Sequence, residues 1–187
     1  MLSIRNLALA GAAALGLCAS AAQAAVTWTV EESGGDVVGT FAGSIDLIGA
    51  TFVGGGDLAS NLSPRRGLIS TPGFYDAYGA TSVPGGFGLG FVDLVPDGAS
   101  GDAFGVWSDL GLVFVPDGYV SGAALAGSIR FDGATFASLG LTEGAYVFSL
   151  PGDTVTVQIG ATTVPLPAGL PLMLAGIGAF AWVRRRA

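Results

Sequence analysis

Leu125-Ala126-Gly127-Ser128-Ile129-Arg130-Phe131-Asp132 carries the pattern that decides the fold. Leu125, Gly127, Ile129 and Phe131 fall on one side of an extended chain and Ala126, Ser128, Arg130 and Asp132 on the other, a period of two that belongs to a strand and not to a helix. The same period recurs upstream, where Phe41, Gly43, Ile45 and Leu47 alternate with Thr40, Ala42, Ser44 and Asp46. It recurs again downstream, where Val155, Val157 and Ile159 alternate with Thr154, Thr156 and Gln158. Such alternation predicts antiparallel strands with one face in a core and one in water. Residues 26–31, 87–95, 103–107, 111–115 and 145–150 are further strand candidates.

Turn chemistry separates these runs at short intervals. Gly34-Gly35-Asp36, Gly54-Gly55-Gly56, Pro84-Gly85-Gly86, Pro96-Asp97-Gly98, Pro116-Asp117-Gly118 and Pro151-Gly152-Asp153 supply a preset φ, a local side-chain bond or a positive φ. Many short strands between such turns predict an all-β fold, an antiparallel β-sandwich, with a jelly roll as a permitted variant. Residues 61–86 alternate least and read as a long surface loop exposing Arg65 and Arg66. Residues 91–98 and 112–118 end alike, which reads as paired hairpin geometry and not as a repeat.

The charges sit unevenly. All fourteen carboxylates lie between Glu31 and Asp153, where only Arg65, Arg66 and Arg130 offset them, so the central segment carries a formal −11. A surface of that sign repels phosphate backbones, which makes nucleic acid and anionic lipid poor candidates for partners and cations or neutral glycans better ones. The chain has no His, no Lys and a single Cys, Cys18. Past residue 24, thiolate chemistry, disulfides and His-based catalysis or zinc ligation are therefore excluded.

Both ends read as addresses. Residues 1–24 combine Arg5, an apolar run from Leu7 to Ala22 and the small-residue signature Ala22-Gln23-Ala24, the pattern of a secretory signal helix cut by signal peptidase before Ala25. Leu17 stands where a lipoprotein signal needs a small residue, so Cys18 is read as an apolar member of that helix. At the other end Val164-Pro165-Leu166-Pro167-Ala168 precedes an apolar stretch that runs to Val183 and then Arg184-Arg185-Arg186. Sixteen residues, Ala168 to Val183, rise about 24 Å as a helix, somewhat short of a hydrocarbon core of about 30 Å; snorkelling arginines supply the remainder. The three arginines would hold the tail on the cytoplasmic side with the acidic segment outside. The prolines fix an extended segment at the membrane face, the conformation a processing enzyme can bind.

This order of parts, Val164-Pro165-Leu166-Pro167-Ala168, a glycine-interrupted apolar helix and a terminal arginine run, resembles the VPLPA variety of the PEP-CTERM sorting signal of Gram-negative bacteria. The resemblance implies recognition and cleavage by an exosortase-type membrane enzyme, transient anchoring in the inner membrane and delivery to the cell surface or beyond it. A retained tail anchor is the plainer alternative. Residues 112–122 and 133–146 also resemble a segment common in proteins carrying that signal, a family with no settled activity, which supports the β reading and the surface destination alone. The chain thus divides into a signal peptide (1–24), a Gly-rich acidic β domain (25–163) and a sorting signal with a transmembrane helix (164–187).

Chemistry is sparse by comparison. A glycosidase needs two carboxylates across a cleft, but Asp36, Asp57, Asp97, Asp102, Asp117, Asp132 and Asp153 adjoin Gly or Pro in turns, and no catalytic residue is assigned. Asp97 and Asp102, five residues apart, are the weak candidates for Ca2+, the one cofactor considered. Trp28, Trp107, Tyr75, Tyr78 and Tyr119 could stack on sugars, with burial expected for the tryptophans and exposure for Phe74-Tyr75-Asp76-Ala77-Tyr78. The expectation is a non-enzymatic surface or extracellular-matrix protein with exopolysaccharide as candidate partner. The alternatives are an extracellular carbohydrate-active enzyme using Asp or Glu, and a calcium-stabilised adhesin.

Overall fold

The computed structural model describes residues 25–160, all-β apart from one short helix. The signal residues Ala22 and Ala24, the motif 164–168, the flanking helices and Arg184, Arg185 and Arg186 lie outside the described residues.

Twelve strands form two six-stranded sheets. The first contains, in spatial order, β11 (Gly144–Ser149), β12 (Thr154–Ile159), β1 (Val26–Ser33), β2 (Asp36–Gly43), β10 (Leu125–Phe131) and β7 (Gly98–Gly101). The second runs β3 (Thr51–Leu58), β6 (Gly73–Gly79), β9 (Leu112–Pro116), β8 (Gly105–Trp107), β5 (Leu68–Ser70) and β4 (Asn61–Ser63). Inward residues of both sheets share one core, with Val26, Trp28, Phe41 and Ile129 from the first and Leu62, Ile69, Val106 and Val113 from the second.

Alternation behaves as expected in β1, β10 and β12, where Val26, Trp28, Val30, Leu125, Ile129, Phe131, Val155, Val157 and Ile159 are buried. One register row of the first sheet reads Tyr146, Val157, Trp28, Phe41, Gly127, Gly101. Bulk at Trp28 and Phe41 is matched by its absence at Gly127, since a Cβ there would lie 2.5 Å from the Phe41 ring. Phe104 closes the stack, 4.9 Å from Phe41 and 6.4 Å from Trp28 between ring centroids.

Several expectations are corrected. The first sheet is mixed, because β1 and β12 pair in parallel. A parallel pair cannot be joined by a tight turn, and here the whole domain intervenes between its two strands. Residues 61–86 hold β4, β5 and β6 in place of a surface loop. The three residues of β5 are all buried, so a period of two had nothing to show. Gly54-Gly55-Gly56 lies within β3 and not in a turn; the Gly55 backbone comes so near Tyr75 that a Cβ would sit 2.8 Å from its carbonyl. Residues 87–95 form no strand but a tethered segment with bridges at Gly88 and Leu94. Its glycines face inward, with a Cβ at Gly88 meeting Gly140 O at 2.0 Å, so Leu89 and Phe91 face water while Phe87 is buried in the core. Residues 98–101, outside every strand candidate of the sequence, form β7. The alternation after Gly43 ends the strand early, yet Ile45 remains buried. An unexpected helical turn, α1 (Phe136–Leu139), is closed by reciprocal Thr135–Ser138 bonds and by left-handed Gly140.

The second sheet is strongly curled. β3 and β4 occupy its opposite edges, yet only Ala59 and Ser60 join them. Edges of a flat six-stranded sheet lie about 24 Å apart, whereas three peptide steps reach about 11 Å. Ser70 Oγ bonds Ala59 O at 2.8 Å and Ser60 Oγ bonds Ser70 O at 3.1 Å, fastening the closure. The curled sheet encloses a second cluster, Leu68, Ala77 and Phe114, flanked by Leu58, Tyr75, Trp107 and Leu112.

Candidate functional site

Two hairpin tips meet at one end of the curled sheet. The Ser108 amide bonds Gly67 O at 3.0 Å and the Asp109 amide bonds Arg66 O at 3.2 Å, which ties the β8–β9 turn to the β4–β5 turn. The 87–94 segment is laced alongside: Arg65 N bonds Gly90 O at 3.2 Å, Leu89 N bonds Gly140 O at 3.0 Å, and Leu62 and Leu94 exchange bonds of 2.9 and 2.8 Å. Phe91 is thereby fixed beside Arg65.

Ser63, Arg65, Arg66, Phe91 and Asp109 line a cleft of about 510 Å³ at this place. The Arg65 guanidinium lies over the Phe91 ring, 4.3 Å from its centroid. Phe91 is 76% exposed, so its ring is open to a ligand as well. Arg66 Nη1 reaches Asp93 Oδ2 at 3.5 Å, and Arg130 contacts Asp132 at 2.8 Å and Asp36 at 3.7 Å. Arg65 is the one arginine among the described residues with no carboxylate within 4.0 Å. Sequence reasoning placed Arg65 and Arg66 on the surface, as found, but had no signal for Phe91, which a hydrophobic period assigns to a core.

Asp97 and Asp102 are not brought together. They bracket the four residues of β7, so five residue steps, about 16 Å when extended, separate their Cα atoms. Each instead holds β10: Asp102 Oδ2 accepts from Ala126 N and Asp97 Oδ2 from Asp132 N, both at 2.8 Å. Other acids serve alike. Asp153 Oδ2 accepts from Asp46 N at 3.0 Å, Asp76 Oδ2 from Gly118 N at 3.0 Å and Asp36 Oδ1 from Gly133 N at 2.9 Å. In a domain without lysine, main-chain amides supply partners that cations cannot. Among the described residues no group of three or more Asp, Glu, His or Cys has the geometry to hold a metal.

A second cleft, about 400 Å³, is lined by Glu31, Glu32, Phe136, Glu143 and Gly160, and Glu32 Oε1 accepts the Phe136 amide there. Sequence reasoning missed this grouping, since β1 and the turn before β11 meet only through the parallel pairing of β1 with β12.

The aromatic candidates divide. Trp28 is wholly buried, Phe74 is exposed, and Tyr75, Tyr78 and Trp107 are half-buried. Tyr119 and Tyr146 are structural: Tyr119 Oη donates to Ala123 O at 2.6 Å, and Tyr146 Oη donates to Thr142 O at 2.9 Å, a backbone contact four residues upstream like that of a tyrosine corner. Burial raises both phenols above the usual tyrosine value; for Tyr119 the Asp153 and Asp102 charges add to the rise, against the Ile45 and Gly122 backbone bonds. Comparison with models of known families, with curated proteins and with solved structures finds no match to this chain.

Proposed function

We propose that the chain is an exported surface or extracellular-matrix protein whose β domain, read as a β-sandwich, performs a structural and binding role and not an enzymatic one. The address rests on the two ends: the signal-peptide pattern before Ala25, and Val164-Pro165-Leu166-Pro167-Ala168 with its apolar stretch and Arg184-Arg185-Arg186. Signal peptidase and an exosortase-type enzyme are the processing partners, with exopolysaccharide the candidate surface partner. The observation that carries the structural role is the use of Asp36, Asp76, Asp97, Asp102 and Asp153 to hold distant main-chain amides. Carboxylates committed in this way brace loops and strand edges against one another, a use suited to a domain exposed outside the cell.

Mass spectrometry of the native protein from cells and from medium tests the address. Loss of residues 1–24 together with the apolar tail supports it; retention of residues 169–187 in every form would establish a permanent anchor in its place. A second reading, an acid-based carbohydrate-active enzyme, is favoured by the Glu31, Glu32 and Glu143 cleft. Turnover on a polysaccharide panel that Glu143→Gln abolishes would establish that reading and reject the first.

A further inference from the structure

We infer that the Arg65–Phe91 cleft is a binding site for a singly charged carboxylate on a hydroxylated ring, the chemistry of a uronate sugar unit. Three features converge on that class. The first is the unspent cation. With fourteen carboxylates available and three arginines in the domain, Arg66 and Arg130 are paired and Arg65 is not. Its guanidinium carbon is held 4.3 Å from the Phe91 ring centroid with no carboxylate within 4.0 Å, so its N–H donors are available to grip a carboxylate by two parallel bonds.

The second feature is Phe91 itself, a largely exposed ring fixed by its flanking backbone bonds, against which the apolar C–H face of a sugar can lie. The third is Asp109, exposed at the cleft, whose carboxylate can bond ring hydroxyls, with buried Ser63 beneath it in the lining. Asp109 also sets the charge limit. With Asp93 on Arg66, two carboxylates balance two guanidiniums around the cleft, inside a domain of −11. A phosphate dianion is repelled there, whereas a single carboxylate beside hydroxyl groups is accommodated. A volume of about 510 Å³ lies within the range of small-ligand sites.

This ligand deepens the binding role proposed above, but its test is separate from that of the address. Binding of an oligosaccharide carrying one galacturonate unit among neutral sugars to the full chain in mild detergent is measured by calorimetry, with its methyl ester as the uncharged control. Saturable binding is expected for the acid form, with Arg65→Gln weakening it about tenfold or more and Phe91→Ala weakening it severalfold. Arg130→Gln, on the other sheet, leaves affinity unchanged. Equal affinity for the methyl ester, competition by inorganic phosphate as strong as by the uronate, or wild-type affinity in Arg65→Gln overturns the inference. An unaltered melting curve for Arg65→Gln shows that the lost affinity is not lost folding. Failure of this binding leaves the mass-spectrometric test of export untouched.

Discussion

Tyr119 and Ile45, seventy-four residues apart in sequence, are joined through the Tyr119 hydroxyl, which accepts from the Ile45 amide at 3.0 Å. The same hydroxyl donates to Ala123 O at 2.6 Å, so one phenol fastens the end of the β2 alternation to the loop before β10. Ser121 reinforces the contact by accepting the Leu47 amide at 2.9 Å. The segment after Gly43 thus holds its place without strand pairing.

Tyr119→Phe keeps the ring and removes both bonds, so it should cost about 1–2 kcal/mol in thermal or denaturant unfolding. The phenol also makes stability depend on pH. Its folded pKa is raised, so it favours the neutral form; an unfolded tyrosine ionises near about 10. The contribution is therefore complete below that value and is lost as the pH rises through the folded pKa. Melting curves from pH 8 to 11 should show a steeper alkaline loss for the parent than for Tyr119→Phe; identical slopes would refute this role.

Asp102 and Asp97 anchor an edge strand. Asp102→Ala frees the Ala126 amide and should cost about 1 kcal/mol, with Asp102→Asn, which keeps an oxygen acceptor, costing less. Because the two carboxylates lie at opposite ends of β7, they cannot ligate one ion, and chelation by EDTA should leave the melting temperature of parent and variant unchanged. A drop on chelation that Asp102→Ala abolishes would restore them as a calcium site.

Legibility in the sequence tracked how each strand is solvated. β1, β10 and β12 each bury one face, and their alternation reveals them. β5 is buried throughout and β3 has no fully buried residue, so neither carries a period of two, although β5 pairs on both sides and β3 pairs with β6 on either side of an irregularity at Val53. The 87–95 run misleads for the opposite reason: glycines at 88 and 90 bring its backbone against Gly140 and Leu139, and Leu89 and Phe91 turn outward. The candidate cleft was half legible, since an adjacent arginine pair in an acidic domain signals exposure. The stacking of Phe91 on Arg65 depends on backbone bonds between segments twenty-five residues apart, which no local pattern encodes.

Gly127 provides a packing test. Its register partner Phe41 covers it so closely that a Cβ would lie 2.5 Å from the ring and 2.7 Å from Ser100 O. Gly127→Ala must displace either the Trp28–Phe41–Phe104 stack or the β7 edge, at about 1–3 kcal/mol. Near-ultraviolet circular dichroism should report the disturbed aromatic packing. Gly118→Ala, at a position with open space around it, is the contrast: its only strain is a positive φ of 68°, so it should lose stability with no aromatic signature.

The closure of the second sheet depends on Ser70, whose hydroxyl donates to Ala59 O across the strand edge while its own carbonyl accepts from Ser60 Oγ. Ser70 is wholly buried but Ala59 is exposed, so Ser70→Ala removes the bond while water can reach the Ala59 carbonyl, a loss of about 0.5–1.5 kcal/mol. Its effect should be local as well as global. β3 pairs with β6 alone, and β4 has only the Leu62–Leu94 bridge on the side away from β5, so releasing their junction should raise amide exchange in Thr51–Leu58 and Asn61–Ser63 above that in β1 and β12, which lie inside the other sheet. Hydrogen exchange followed by mass spectrometry resolves these segments. Uniform acceleration across both sheets would show that the curl is held by the Leu68, Ala77 and Phe114 cluster and not by the hydroxyl at its seam.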